Sequence, residues 1–143
     1  MDLGTLAWCA MAIGTSQAVL DYVGPYCNER TAFGEPISHR QSVAFMIADM
    51  AIELDAMRML TYRAASRAEQ GKSFQREAHL ARTLVKDKAM KIGTDGVQLL
   101  GGHGFTNEYP VELWYRVLRA GGVAFGCRLL PGGIQPFITT FPI

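Results

Sequence analysis

Side chains able to act as nucleophile, base or metal ligand are few in this chain, and most stand alone. The three histidines, His39, His79 and His103, have no Ser, Cys or Asp spaced to complete a triad, so they read as surface or structural residues. His103 departs furthest from that reading because it sits among glycines in QLLGGHGFTNEYPVE, residues 98–112. Asp49 and Asp55 have no second acid or His at metal-ligand spacing; they read as solvated or capping charges, and no metal site is indicated. Cys9, Cys27 and Cys127 form no C-x-x-C pair, and their odd number leaves one unpaired in any disulfide scheme. Reduced thiols of an intracellular protein fit them best.

The glycine stretch lies between two helical patterns. Gly101, Gly102 and Gly104 can take the positive φ that closes a helix, and Pro110 with Glu112 suits the first turn of the next one. A helix–loop–helix corner is the structural reading. It is not a dinucleotide fingerprint, since no strand precedes it and the G-x-G-x-x-G spacing is absent.

Three long apolar stripes must position this corner. Helix one runs from Leu3 to Arg30, with Leu6, Ala10 and Ile13 on one face and Trp8, Ala12, Val19, Val23 and Tyr26 on an adjacent one. Gly24-Pro25 predicts a kink or early stop. Thr31–Ile37 reads as an ordered loop, and Ser38 with Gln41 fits an S-x-x-Q capping box opening helix two. Helix two carries Val43, Met46, Ile47, Met50, Leu54, Met57 and Ala64 inward and stops near Gly71. Helix three starts near Ser73 and buries Phe74, Ala78, Ala81, Val85, Ile92 and Leu99. Helix four starts at Pro110 with Trp114, Val117 and Leu118 on its apolar side, and the glycines from Gly121 predict an early end. The fold class is all-α: an up-down-up-down four-helix bundle over residues 1–126, with an irregular tail over 127–143.

Composition sets outer limits. With 143 residues, 49% hydrophobic and 19% charged, the chain suits one globular domain. A formal charge of +1 and scattered basic residues give no general attraction to nucleic acid. Asp2, Gln17, Asp21 and Asn28 interrupt the most apolar region, so no membrane span is expected. No secretory or transit pattern opens the sequence, which predicts a cytoplasmic location, or the mitochondrial matrix for a fragment of a longer chain. Two apolar faces on helix one predict an exposed patch and hence an oligomer.

Four motifs in series resemble the C-terminal helical domain of the acyl-CoA dehydrogenase family over about Met1 to Gly126. They are R-x-x-F-G-x-P-I-x-x-x-Q from Arg30 to Gln41, A-D-M at Ala48–Met50, Q-L-L-G-G-x-G-F from Gln98, and E-Y-P-V-E from Glu108, followed by Tyr115-Arg116. The resemblance implies FAD as cofactor and α,β-dehydrogenation of an acyl-CoA thioester, with a Glu carboxylate as base and the β-hydride passing to the flavin. It places Arg30, Thr31 and Ala32 at the FAD of a neighbouring subunit, with Arg30 suited to the pyrophosphate. Arg40 and Gln41 match a second flavin contact. Gln98, Leu99, Leu100, Gly101 and Gly102 match a third, near the adenosine end, and Asp2 matches a substrate contact. The partner implied is a homo-oligomer, or a hetero-oligomer with a flavoprotein chain.

The departures bear on activity. The family's usual base position holds Phe125, beside Gly126, and the alternative position used by some members holds Gly4, with Thr5 in place of its Arg. Val117 replaces the Asp after Tyr115-Arg116. The family's other two domains do not fit in 143 residues. The resemblance therefore implies a partial flavin surface and a chain inactive on its own, or a non-catalytic helical subunit that completes an acyl-CoA dehydrogenase-like oligomer.

Overall fold

Leu6 near the start of the first helix packs with Ala64 and Ala78, and Trp8 lies against Gly121. Tyr26 near its end meets His103 and Tyr109. These contacts fix the directions of four helices in the computed structural model, which describes residues 2–124. The helices are α1 (Asp2–Glu29), α2 (Gln41–Glu69), α3 (Gln75–Leu100) and α4 (Pro110–Ala124). The start of α1 lies beside the end of α2, the start of α3 and the end of α4. That arrangement is the up-down-up-down bundle the periodicities predict.

The core is apolar and its hydroxyls are satisfied locally. Val19, Val23, Met50, Met57, Val85, Ile92 and Val111 are fully buried. Ser16 and Thr61 donate to the carbonyls of Ala12 and Met57 one turn back, which avoids an unpaired buried donor. Gly96 sets how closely α1 and α3 approach, since an added Cβ would lie 2.5 Å from Val19 Cγ1. Between α2 and α3, Lys88 Nζ donates to Glu53 Oε1 at 2.7 Å, an interhelical ion pair that no motif signals.

Several expectations are corrected. Pro25 neither stops nor ends α1, which continues to Glu29; the helix packs against α2, α3 and α4, and that burial outweighs one missing N–H. Leu3–Glu29 is long enough, and over its most apolar 18 residues (mean hydropathy 1.4) apolar enough, to cross a membrane by length and composition alone, a test that the core helix of a bundle also passes. Here Trp8, Cys9, Ala12, Ile13, Val19 and Val23 belong to the core, while Leu3 and Met11 of α1 stand exposed. Ala10 and Val117, expected inside, are exposed. The capping box does not form: Ile37–His39 is a 3-10 turn, and Arg40, extended at φ −79° and ψ 125°, is the N-cap without a side-chain bond. Helix α3 starts at Gln75, two residues later than expected. Helix α4 passes through Gly121 and Gly122 to Ala124. Phe125 and the tail at 127–143 lie outside the described residues.

Burial of the thiols has a measurable consequence. Desolvation pushes Cys9 from 9.0 up to about 11, against a smaller downward pull from Arg82, and burial also raises Cys27. A thiolate is disfavoured only in the folded state, so this contribution to stability is intact below about pH 9 and is lost between about 9 and 11. The melting temperature should fall across that window, and Cys9 and Cys27 should resist alkylation at pH 8 until the chain is unfolded. Rapid labelling of both in the native protein would overturn this.

Candidate functional site

Arg30 follows the last residue of α1, and its carbonyl accepts a hydrogen bond from the Ile37 amide at 2.9 Å. That bond closes a small hairpin, Thr31–Ala32 paired with Glu35–Pro36. The hairpin brings Arg30 to the end of α3, where the helix stops on Gly101 at φ +61°. Together Tyr26, Arg30, Ile37, Gln98, Leu99, Leu100, Gly101, Gly102, His103 and Thr106 line a recess of about 500 Å³. Arg30 is exposed and has no salt bridge among the described residues, so its guanidinium is available to an anion. The α3 C-terminus supplies the opposite polarity, with carbonyls suited to ligand N–H and O–H donors.

Tyr26, one turn before Arg30, shapes the inner wall. Its hydroxyl lies 3.2 Å from His103 Nδ1, the direction of the bond being set by the imidazole tautomer. Both rings pack on Tyr109. Burial raises the Tyr26 phenol above its usual value although Arg30 pulls it down, so the group stays neutral. Of the three corner glycines only Gly101 has positive φ. Gly104 is needed because an added Cβ would lie 2.5 Å from Val97 O, and at Gly102 it would meet nothing.

The hairpin tip holds Phe33 at φ +57° and 95% exposed. Arg40 lies over it, its guanidinium 5.0 Å from the ring centroid. Positive φ is unfavourable for a bulky residue, so the strain is held by the hairpin around it. Gln41 opens α2, exposed and without a side-chain hydrogen bond among the described residues. Thr31, Ala32, Arg40 and Gln41 do not line the Arg30 recess.

The model of the acyl-CoA dehydrogenase C-terminal domain matches residues 1–128. The chain belongs to the acyl-CoA dehydrogenase family. The short-chain specific acyl-CoA dehydrogenase of Megasphaera elsdenii is 38% identical over 111 residues, 78% of this chain and 29% of that relative. The solved butyryl-CoA dehydrogenase of the same organism superposes with a TM-score of 0.82 at 36% identity, covering 84% of this chain and 31% of that one. PigA, solved with FAD and proline, superposes with a TM-score of 0.81 at 25% identity, covering 85% of this chain and 32% of that one. The chain thus spans less than a third of the length of these relatives.

The four motifs gather towards one end of the bundle, where α1 and α3 end and α2 and α4 begin. Asp2 and Gly4 are in the first turn of α1, about 40 Å along the helix from Arg30 at 1.5 Å per residue. Beside them an apolar recess of about 490 Å³ is lined by Leu3, Leu6, Ala7, Ala10, Tyr62 and Ala65, with Glu69 at its edge. The Asp2 side chain lies outside the described residues, as does Phe125. Among the described residues no three His, Cys, Asp or Glu side chains converge as metal ligands. Sequence reasoning missed Tyr26 and Ile37, although Tyr26 is at i−4 from Arg30 and so on the same helical face.

Proposed function

We propose that this chain is the cofactor-contacting C-terminal domain of an acyl-CoA dehydrogenase-type flavoprotein that acts on acyl-CoA thioesters. The observation that carries this is the convergence of Arg30 with Gln98–Gly102 on one recess, residues far apart in sequence and adjacent in space. Arg30 fits a pyrophosphate because it is a charged fork without a carboxylate partner, and the α3 carbonyls fit the amine and hydroxyls of an adenosine. FAD, when bound, supplies the hydride acceptor. The protein's part is to hold that group, exclude water and provide a base for the α-proton. Phe125 and Gly4 provide none, so we propose no turnover by the chain alone. The same two positions favour a second reading, a helical subunit that completes a flavoprotein oligomer without catalysing.

Titration of the chain with ADP, which carries the pyrophosphate and adenosine, tests the recess. Binding read by calorimetry or by shifts of the Gly101 and Gly102 amides is the expected result. Arg30→Gln should weaken it by roughly 10–100-fold, the range for losing a hydrogen bond to a charged group. Binding that Arg30→Gln leaves unchanged would sink the assignment.

A further inference from the structure

His103 lines the Arg30 recess at a place that the motifs leave open, the x of Q-L-L-G-G-x-G-F. Its ring is held on two sides. Nδ1 lies 3.2 Å from the Tyr26 hydroxyl, and the Tyr109 ring centroid is 5.1 Å from that of the imidazole. Nε2 has no hydrogen-bond partner among the described residues. It is not buried either, because the one buried side-chain polar atom without a partner among the described residues is Glu53 Oε2. Nε2 is therefore open to solvent, on a residue of the recess wall.

Counting donors places the proton of the imidazole. Burial raises the Tyr26 phenol, which keeps its O–H, and that hydrogen has no acceptor among the described residues other than His103 Nδ1. A proton on Nδ1 would reverse the bond and leave the phenol hydrogen without a protein acceptor. With Nδ1 accepting, the neutral ring carries its proton on Nε2, so the free nitrogen is a donor. No carboxylate is paired with this ring. From α1 come Tyr26 and the cationic Arg30, and from the approach to α4 comes Tyr109. Glu112 in the first turn of α4 is bonded to Arg116, and Asp95 of α3 is paired with Lys91. Glu108 is exposed and forms no ion pair among the described residues.

We propose that His103 is a ligand-binding residue of the recess, its Nε2–H donating to a phosphate oxygen of a pyrophosphate-containing nucleotide that Arg30 also binds, with Tyr26 the positioning residue that holds the imidazole in this tautomer. The inference rests on the recess being a nucleotide site. It adds to that site a neutral donor that becomes a second cation when the ring is protonated.

ADP-ribose is the probe, because its pyrophosphate is a diester and keeps its charge over the range of about pH 5.5 to 8.5 in which a histidine changes its own. Calorimetry on the full chain should show binding that Arg30→Gln weakens, with circular dichroism confirming that each variant is folded. His103→Asn, whose amide can replace Nδ1 against Tyr26 but has nothing at Nε2, should weaken binding about tenfold, the loss for one hydrogen bond to a charged group. His103→Gln can place an amide N–H where Nε2 stood, and should keep most of the affinity at about pH 8.5. On acidification to about pH 5.5 the wild type should tighten about fivefold, the upper end for an exposed charge pair, and His103→Gln should not. That difference separates His103 from His39 and His79. In Tyr26→Phe, ¹⁵N spectra at the alkaline end should show both neutral tautomers of His103, where the wild type shows Nε2–H alone. Binding lowered by Arg30→Gln but left intact by His103→Asn would overturn the inference and leave the nucleotide site standing. So would an Nδ1–H tautomer in the wild type, or an equal loss of adenosine binding in His103→Asn, which would put the contact on the nucleoside. No binding by the wild type, or binding indifferent to Arg30→Gln, would overturn both.

Discussion

Gly104→Ala should destabilise the bundle by about 2–3 kcal/mol, lowering the melting temperature by roughly 10 °C. The added methyl would lie 2.5 Å from the oxygen, 2.9 Å from the Cα and 3.1 Å from the carbonyl carbon of Val97. All three atoms are backbone of α3, so no rotamer change relieves the contact and the turn Gly101–Phe105 must move away from the helix. That motion carries Gly101, Gly102 and His103 away from Arg30, so ADP binding should weaken with stability. Gly102→Ala is the control: nothing lies within 4 Å of its Cβ and its φ is ordinary, so it should change stability by less than about 0.5 kcal/mol. Equal losses in the two variants, by thermal melts, would show that the close approach at Gly104 is not what holds the corner.

This pair shows how far sequence reasoning reached. Gly101, Gly102 and Gly104 look alike in sequence, and each can take a positive φ; in the fold only Gly101 does, and packing against Val97 separates Gly104 from Gly102. Helix existence was legible because Met50, Leu54, Met57 and Ala64 repeat at helical spacing, as do Ala81, Val85 and Ile92. The ends were less legible. Ser38 and Gln41 have the right types for a capping box, but the hairpin delivers the chain in a 3-10 turn, and Arg40 becomes the N-cap with its guanidinium over Phe33. Pro25 and Gly121-Gly122 are local breakers overridden by burial of the helices that contain them.

For the site, Arg30, Gln41 and Gln98–Gly102 were found through family motifs; periodicity alone leaves Arg30, Gln41 and Gln98 as ordinary surface positions and Leu99 as a core residue. What no one-dimensional pattern contains is that Arg30 and Gln98 share a recess. That follows from α1 and α3 running parallel with their ends level. Periodicity places Met50, Leu54 and Met57 of α2 inward, but it does not show that Phe45, Ile52 and Met59 stand exposed.

The largest effect expected anywhere in this chain is chemical. Joined to the portions of a relative such as butyryl-CoA dehydrogenase that lie outside the superposed 31% and loaded with FAD, the unaltered domain should reduce flavin with acyl-CoA very slowly, and Phe125→Glu should raise the rate by ~10²–10⁴. The reason is the α-proton: a base must stand about 3 Å from it, and a benzyl side chain accepts no proton whatever its position. Gly4 offers the second position for a carboxylate. It is exposed, a Cβ there meets nothing within 4 Å, and an acid in the first turn of α1 suits the helix dipole. Gly4→Glu should therefore fold at least as well as the parent, gaining about 0.5–1 kcal/mol from loss of glycine freedom. Only the variant whose carboxylate reaches the substrate should gain activity, so stopped-flow flavin bleaching of the two, at matched flavin occupancy, identifies the position the site uses. Fast bleaching by the unaltered chimera would show that another group is the base, with Asp2 the first to replace. No bleaching by any variant that is folded and flavin-loaded would leave the non-catalytic subunit as the reading that stands.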